Sequence, residues 1–255
     1  MKLSIVIPAY NEAQRLGAML DQYLAYFGPR YGDGVEFLVV ANGCTDRTPD
    51  LAREYAARDP RVRAILEPRR IGKGGAIMLG FREARGERIG FVDADGATPP
   101  EAFEDLAAHL GDAGAIIASR WLPGAVVKPR QRLKRLIASR VFNALVRAFF
   151  KLRITDTQCG AKVLTREAVQ AVLPRLGLTR WAFDVDLLFQ LRRARFAITE
   201  RPTTWQDMAG SKLKVGRASC EMFLAICRLR LLHSPFRWIV AVYDRTLGRV
   251  LKVEA

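Results

Sequence analysis

The sequence predicts an α/β fold built on a mostly parallel sheet, on three observations. Short apolar, β-branched runs recur through the first 120 residues. Segments with helical spacing separate them. Polar or Gly-rich stretches follow the runs, as the carboxyl ends of parallel strands require around a ligand crevice.

Each element follows in order. Residues 3–7, Leu-Ser-Ile-Val-Ile, make the first strand, and Pro8 stops it. Leu16, Met19, Leu20, Tyr23 and Leu24 then share one helical face. Residues 35–40 form a second buried-strand run, closed by Asn42-Gly43. Residues 48–58 read as a helix and residues 62–66 as a third strand. A Gly-rich entry leads into a helix over 73–84. Residues 88–92 are the fourth strand, running into Asp93-Ala94-Asp95. Pro99-Pro100 open a helix that reaches about Leu110, since proline is tolerated in a first turn. Residues 115–118 are the fifth strand. Right-handed crossovers join such units into a sheet covered on both faces. Sites are expected at 8–12, 41–46, 67–75 and 93–98.

The second half changes character. Residues 131–151 have helical spacing, with Leu133, Leu136, Ile137, Val141, Leu145 and Phe149 on one side and arginines interspersed. Residues 161–164 and 197–200 read as short strands, and 183–191 as a helix. Residues 215–232 are a second basic amphipathic segment, and 235–253 follow with Phe236, Trp238 and Tyr243. No repeat or linker divides the chain. The expected organisation is a main domain over 1–215 and a basic amphipathic extension over 216–255.

Charge follows the same division. The chain of 255 residues carries +15, but residues 1–119 hold 14 Lys/Arg against 17 Asp/Glu, and residues 120–255 hold 27 against 9. The first half is balanced like an enzyme core, and the excess points the second half toward an anionic partner. Cys44, Cys159, Cys220 and Cys227 form no metal spacing, so a reducing setting is expected. No uncharged apolar run of 18 residues occurs, and no leader precedes the first strand; a peripheral place at a cytoplasmic membrane face is the expectation.

Asp93 and Asp95 are the sharpest local signal. Two carboxylates two apart at a strand end converge on one hard cation, Mg²⁺ or Mn²⁺, if the chain turns at Ala94; the plain alternative is a solvated acidic turn. Pro8-Ala9-Tyr10-Asn11-Glu12 offers an aromatic and a carboxylate to a nucleobase, or else Asn11 caps the next helix. Asn42 to Asp46 is a turn with the same two readings. Lys73 between glycines suits phosphate, although the segment is no P-loop. Arg120, with the cluster Arg130, Arg132, Lys134 and Arg135, is either a solvated face or a phosphate pocket. Neither His109 nor His233 has a nucleophile partner, which disfavours a triad hydrolase.

These motifs together resemble the family 2 glycosyltransferases of the GT-A fold. The downstream pieces Asp156-Thr157-Gln158-Cys159-Gly160-Ala161-Lys162, Trp181-Ala182-Phe183-Asp184-Val185-Asp186 and Gly210-Ser211-Lys212-Leu213 resemble the polyprenyl-phosphate branch, with dolichyl-phosphate β-glucosyltransferases first and mannose synthases next. The resemblance covers residues 3–215 and implies a Rossmann-like GT-A sheet. It implies that Pro8, Ala9, Tyr10 and Glu12 hold nucleobase and ribose, with Asn42 and Asp46 in the adjoining turn. Lys73 and Lys212 lie near the donor. Asp93, Ala94 and Asp95 meet the metal and diphosphate. Arg120, Arg135 and Ser139 hold the lipid phosphate. The sugar lies near Asp156, Trp181 and Asp184. The reaction implied is inverting transfer of a hexose, glucose from UDP-glucose ahead of mannose from GDP-mannose, to a dolichyl or undecaprenyl phosphate.

Two departures stand out. The family's usual Asp-Asp-Gly turn is Ala41-Asn42-Gly43 here, and Gln206 stands where the mannose synthases carry arginine. Many relatives also span the membrane, so this chain is expected to dock on anionic lipid or on a membrane protein. Two rivals remain: transfer to a sugar or small-molecule hydroxyl, with Asp156, Asp184 or Asp186 as base, and nucleic-acid binding, which no helix-turn-helix or RNP-type signature supports.

Overall fold

A computed structural model describes residues 1–129, 133–177, 182–206, 215–236, 238 and 240. Its elements in chain order are β1 (Leu3–Ala9), α1 (Leu16–Tyr31), β2 (Val35–Asn42), α2 (Thr48–Arg58), β3 (Val62–Glu67), α3 (Gly72–Glu83), β4 (Arg88–Val92), α4 (Pro100–Ala108), β5 (Ala115–Ser119) and β6 (Val126–Lys128). Then come α5 (Leu133–Phe150), β7 (Ala161–Thr165), α6 (Arg166–Val172), α7 (Phe183–Arg193), β8 (Ile198–Pro202), β9 (Thr204–Gln206) and α8 (Val215–Leu232).

Seven strands form one sheet in the order β3-β2-β1-β4-β7-β5-β8. All pairings are parallel except those of β7, which runs antiparallel to both β4 and β5. The β-branched alternation of the first two strands explains the layers. Leu3, Ile5, Ile7, Val35, Phe37 and Val39 point to one face, where α1, α2 and α4 bury Leu16, Leu20, Tyr23, Phe27, Tyr55, Phe103 and Leu106. Val6, Leu38, Val40, Ile89 and Phe91 point to the other, beneath α3, α5, α6, α7 and α8. Tyr23, Phe27, Phe37 and Phe103 meet edge-on or offset within one cluster. Truncating a fully buried ring such as Phe27 would cost about 3–5 kcal/mol.

A small parallel pair, β6 with β9, stands beside the main sheet and lies below the length at which periodicity is visible. Gln206 N donates to the Ala97 carbonyl at 2.8 Å, which fastens this pair to the loop after Asp95. Ile226 and Leu229 of α8 lie in the same core as Phe91 and Phe183, so this helix is bound into the body rather than trailing from it.

Candidate active site

The carboxyl ends of β1 to β5 open on one edge of the sheet, and strand order reverses at β1, which has β2 on one side and β4 on the other. Open α/β sheets hold ligands at such a switch point. Because β7 is antiparallel, its amino end and the preceding residues 156–160 reach the same edge.

The turns after β1 and β2 are laced together. Asn11, at φ 56°, donates from Nδ2 to Thr45 Oγ1 at 3.1 Å and accepts from Thr45 N at 2.8 Å. Its side chain is therefore committed to the neighbouring turn, and α1 starts at Leu16 rather than at a cap on Asn11. Asp46 accepts from Ala13 N at 3.2 Å and Thr48 N at 2.9 Å. Desolvation opposes its charge, but the bonds from Thr48 and Ala13 outweigh this and hold the carboxyl below its usual range. Asp46 thus braces the turn. Gly43 sits at φ +56°, and a Cβ there would lie 2.6 Å from Arg70 Cα. That close approach brings the Arg70 guanidinium to 4.5 Å from the centroid of the Tyr10 ring. Tyr10 is exposed at the mouth, Pro8 is half-buried, and Ala9 is buried and offers only backbone. The Ala9 carbonyl accepts from Asn42 Nδ2 at 3.2 Å, while Asn42 Oδ1 has no partner among the described residues.

Three carboxylates line this mouth, near enough for their charges to interact. Glu12 is held by the Arg15 fork at 2.7 Å through both oxygens. Burial raises its pKa against the pull of Arg15, and Asp95 and Asp93 push it further up. Asp95 Oδ1 accepts from Ala97 N at 3.0 Å; burial, and then the Asp93 charge, raise its pKa too. Asp93 Oδ1 lies 2.6 Å from Lys73 Nζ. Burial disfavours the ammonium, but Asp93, Asp184 and Asp95 outweigh it and raise its pKa. Gly160 closes the far side of Asp93. Its carbonyl accepts from Asp93 N at 3.2 Å, and a Cβ on it would stand 2.2 Å from Asp93 Oδ2.

This donor set fits a hard divalent cation. Both side chains supply carboxylate oxygen, and an ammonium already neutralises Asp93. Among the described residues no three His, Cys, Asp or Glu groups gather to cage a metal. The rest of an ion's shell would therefore come from a diphosphate and water.

A second cationic centre stands at the end of β5. Arg120 is nearly buried, and Asp156 takes its N at 3.0 Å, Nε at 2.7 Å and Nη2 at 2.9 Å. Burial works against the Arg120 charge, yet the bonds and charge of Asp156 prevail and raise its pKa. Asp156 is fully buried, so it positions Arg120 rather than facing the crevice. Trp205 of β9 and Trp121 flank the guanidinium, with ring centroids at 5.0 and 5.9 Å. Glu200 on β8 accepts from Thr155 N, Thr155 Oγ1 and Asp156 N. Asn143 on α5 accepts from Thr157 Oγ1 at 2.7 Å. Periodicity gave no sign of this support from Glu200, Asn143 and Trp205, because each comes from a distant element.

Lys162 is the other residue that sequence reasoning passed over, although it closes the motif that begins at Asp156. Fully buried on β7, it donates to Asp184 Oδ1 at 2.6 Å and to the Cys159 carbonyl at 2.8 Å. Asp184 therefore sits beneath the site in an ion pair and acts on Lys73 through its charge. Asp186 accepts from Gly177 N and Gln190 Nε2. Ser139 is half-buried on α5; Arg135 lies on the same helix, with its side chain outside what the structure describes. Trp181, Lys212, Arg130 and Arg132 lie outside the described residues.

A reversed-order α/β sheet with paired aspartates at its switch point and a nearly buried arginine at the end of β5 has the plan of a GT-A glycosyltransferase. The chain belongs to glycosyltransferase family 2: the family model described as "Glycosyl transferase family 2" matches residues 4–173. It is 37% identical over 229 residues to the dolichyl-phosphate beta-glucosyltransferase of Drosophila melanogaster, covering 84% of this chain and 69% of that protein. Identity to the Homo sapiens protein of the same name is 36% over 251 residues, covering 93% of this chain and 77% of that one. Glycosyltransferase AglD of Haloferax volcanii is 35% identical over 234 residues; the match covers 89% of this chain but only 37% of that protein. Among solved structures, glucosyl-3-phosphoglycerate synthase of Mycobacterium tuberculosis, in complex with Mn²⁺, UDP and phosphoglyceric acid, superposes with a TM-score of 0.65 at 18% identity, over 91% of this chain and 78% of that one. That likeness establishes the shared fold.

Proposed function

We propose that this glycosyltransferase moves a hexose from a nucleotide diphosphate sugar to a polyprenyl phosphate, with UDP-glucose the favoured donor and GDP-mannose the alternative. The observation that carries the acceptor is Arg120. It is a nearly buried, permanently charged guanidinium at the crevice edge; Asp156 takes its Nε and Nη2, which fixes its place, and what it offers a phosphate monoester is its charge and its other edge. The three aspartates considered as bases for a hydroxyl acceptor are each engaged elsewhere: Asp156 with Arg120, Asp184 with Lys162, and Asp186 with Gly177 N and Gln190. A phosphate acceptor is already an anion and needs no strong base. The relatives named dolichyl-phosphate beta-glucosyltransferase support the same acceptor.

Tyr10, Asn42 and the backbone of Ala9 would meet the nucleobase, with Glu12 near the ribose. Asp93 and Asp95 would hold Mg²⁺ or Mn²⁺, which supplies charge neutralisation for the departing diphosphate. Lys73 stands beside Asp93, ready to donate to diphosphate oxygens. Arg120, with Arg135 and Ser139 on α5, would fix the acceptor phosphate on the opposite side of the sugar, as inversion requires. Positioning and preorganised charge supply most of the rate. The enzyme would work at the cytoplasmic face of a membrane, where such an acceptor resides. Among the described residues no helix is long and apolar enough to cross one.

The test is a screen of UDP- and GDP-sugars against short polyprenyl phosphates and sugar hydroxyls, with products identified by mass. A glucosyl polyprenyl phosphate is the expected product. Transfer to hydroxyl acceptors alone would refute the acceptor assignment.

A further inference from the structure

Eleven large apolar side chains are exposed among the described residues, and seven of them lie on α5, on α8 or just beyond α8: Ile137, Val141, Phe223, Leu224, Leu232, Phe236 and Trp238. Chance does not gather them so. Both helices bury one side in the same core, α5 through Phe142, Val146 and Phe150, and α8 through Ile226 and Leu229. They also pack against each other. On α5 the exposed residues Ile137, Arg140, Val141, Ala144, Arg147 and Ala148 follow a spacing of three and four, which makes one stripe of apolar groups and arginines. The two helices together carry seven Lys/Arg and one acidic residue, Glu221.

We propose that the outward sides of α5 and α8, with Phe236 and Trp238 beyond them, are a docking surface for an anionic lipid bilayer. Apolar side chains set among basic ones suit the interface, where rings and aliphatic groups enter below the headgroups and arginines stay among phosphates. A protein partner would be matched by apolar area alone; the one-sided charge selects an anionic sheet. The surface is continuous with the catalytic crevice. Arg140 stacks 4.2 Å from the centroid of the Trp121 ring, whose neighbour is Arg120, and Asn143 holds the loop that carries Asp156. A bilayer seated on α5 therefore presents headgroup-level phosphates at the edge of the Arg120 pocket. This inference rests on the lipid-phosphate reading and gives it a place.

The experiment compares the protein with the variant Ile137→Ser, Val141→Ser, Phe223→Ser, Leu224→Ser. Flotation uses phosphatidylcholine vesicles with and without phosphatidylglycerol and free of any acceptor. The protein should float with anionic vesicles at low salt, less with neutral ones, and less as salt rises. The variant should bind anionic vesicles at least about tenfold more weakly, since four apolar groups no longer enter the interface. Transfer to a short, water-dispersed polyprenyl phosphate should be unchanged in the variant, while transfer to a long-chain acceptor in vesicles falls about as far as binding does. Equal flotation of the two proteins overturns the docking surface, and so does self-association through this face in sedimentation. Flotation without transfer to either lipid phosphate leaves the docking surface standing and refutes the acceptor instead.

Discussion

Replacing Asp156 by asparagine separates a positioning carboxylate from a catalytic one. Asp156 is fully buried and receives three bonds from Arg120, whose side chain is 9% exposed. The amide keeps the shape and one acceptor oxygen but turns an NH₂ group toward the guanidinium and removes its counter-charge. Breaking a buried pair from one side costs about 3–5 kcal/mol, and the retained acceptor argues for the lower end, about 3 kcal/mol. For a chain of this size that is a fall in Tm of about 6–12 °C. Urea and thermal unfolding measure it directly. In transfer assays the loss should fall on the acceptor side, as a raised KM for lipid phosphate, while UDP binding is retained. The opposite pattern would refute the assignment. An Asp156→Asn protein of unchanged stability and acceptor KM, with kcat reduced by about a thousandfold, would make Asp156 a base acting on a hydroxyl.

Gly160→Ala should displace Asp93, since the new Cβ would stand 2.2 Å from its Oδ2; Mn²⁺ binding measured by electron paramagnetic resonance should weaken at least about tenfold while secondary structure is unchanged. Lys73→Met removes the ammonium paired with Asp93, so Mn²⁺ should bind the nucleotide-free protein more tightly and UDP more weakly, both read by calorimetry. Asp93→Ala should abolish Mg²⁺-dependent transfer, and retained activity would show the metal assignment to be wrong. Burial and the Asp156 charge push the Cys159 thiol up to about 12, so alkylation near neutral pH should spare it until the protein is unfolded, as peptide mass mapping would show.

The strands and helices of the first half were legible because a strand buried on both faces is apolar throughout and the helices between them keep their spacing. Residues 48–58 and 88–92 coincide with α2 and β4. The direction of β7 was not legible: residues 161–164 read as a strand, and nothing in so short a run states which way it lies. Asp93, Asp95 and Lys73 were singled out from short local motifs at strand ends, and the structure brings Lys73 against Asp93. The roles of Asp156 and Asp184 were not, because a buried ion pair is defined by its partner, and Arg120 and Lys162 stand 36 and 22 residues away. Asn11 shows the limit of a local rule. A helix cap was one of its two readings, and Thr45, 34 positions on, engages its side chain instead through a backbone N–H and a hydroxyl.

The antiparallel placement of β7 also sets an order of assembly. Strands β4 and β5 follow one another in sequence with α4 between them, a connection that a parallel pair accepts readily. In the native sheet they are not neighbours, for β7 lies between them and pairs with both. A nascent chain that zips β5 onto β4 early closes the slot that β7 must fill, and with it the approach of residues 156–160 to Asp93. Productive folding has to hold that gap open until about 45 further residues have emerged from synthesis, as parallel sheets with distant pairings are slow to complete. The crevice is thus completed by a strand that is made only after both of its neighbours.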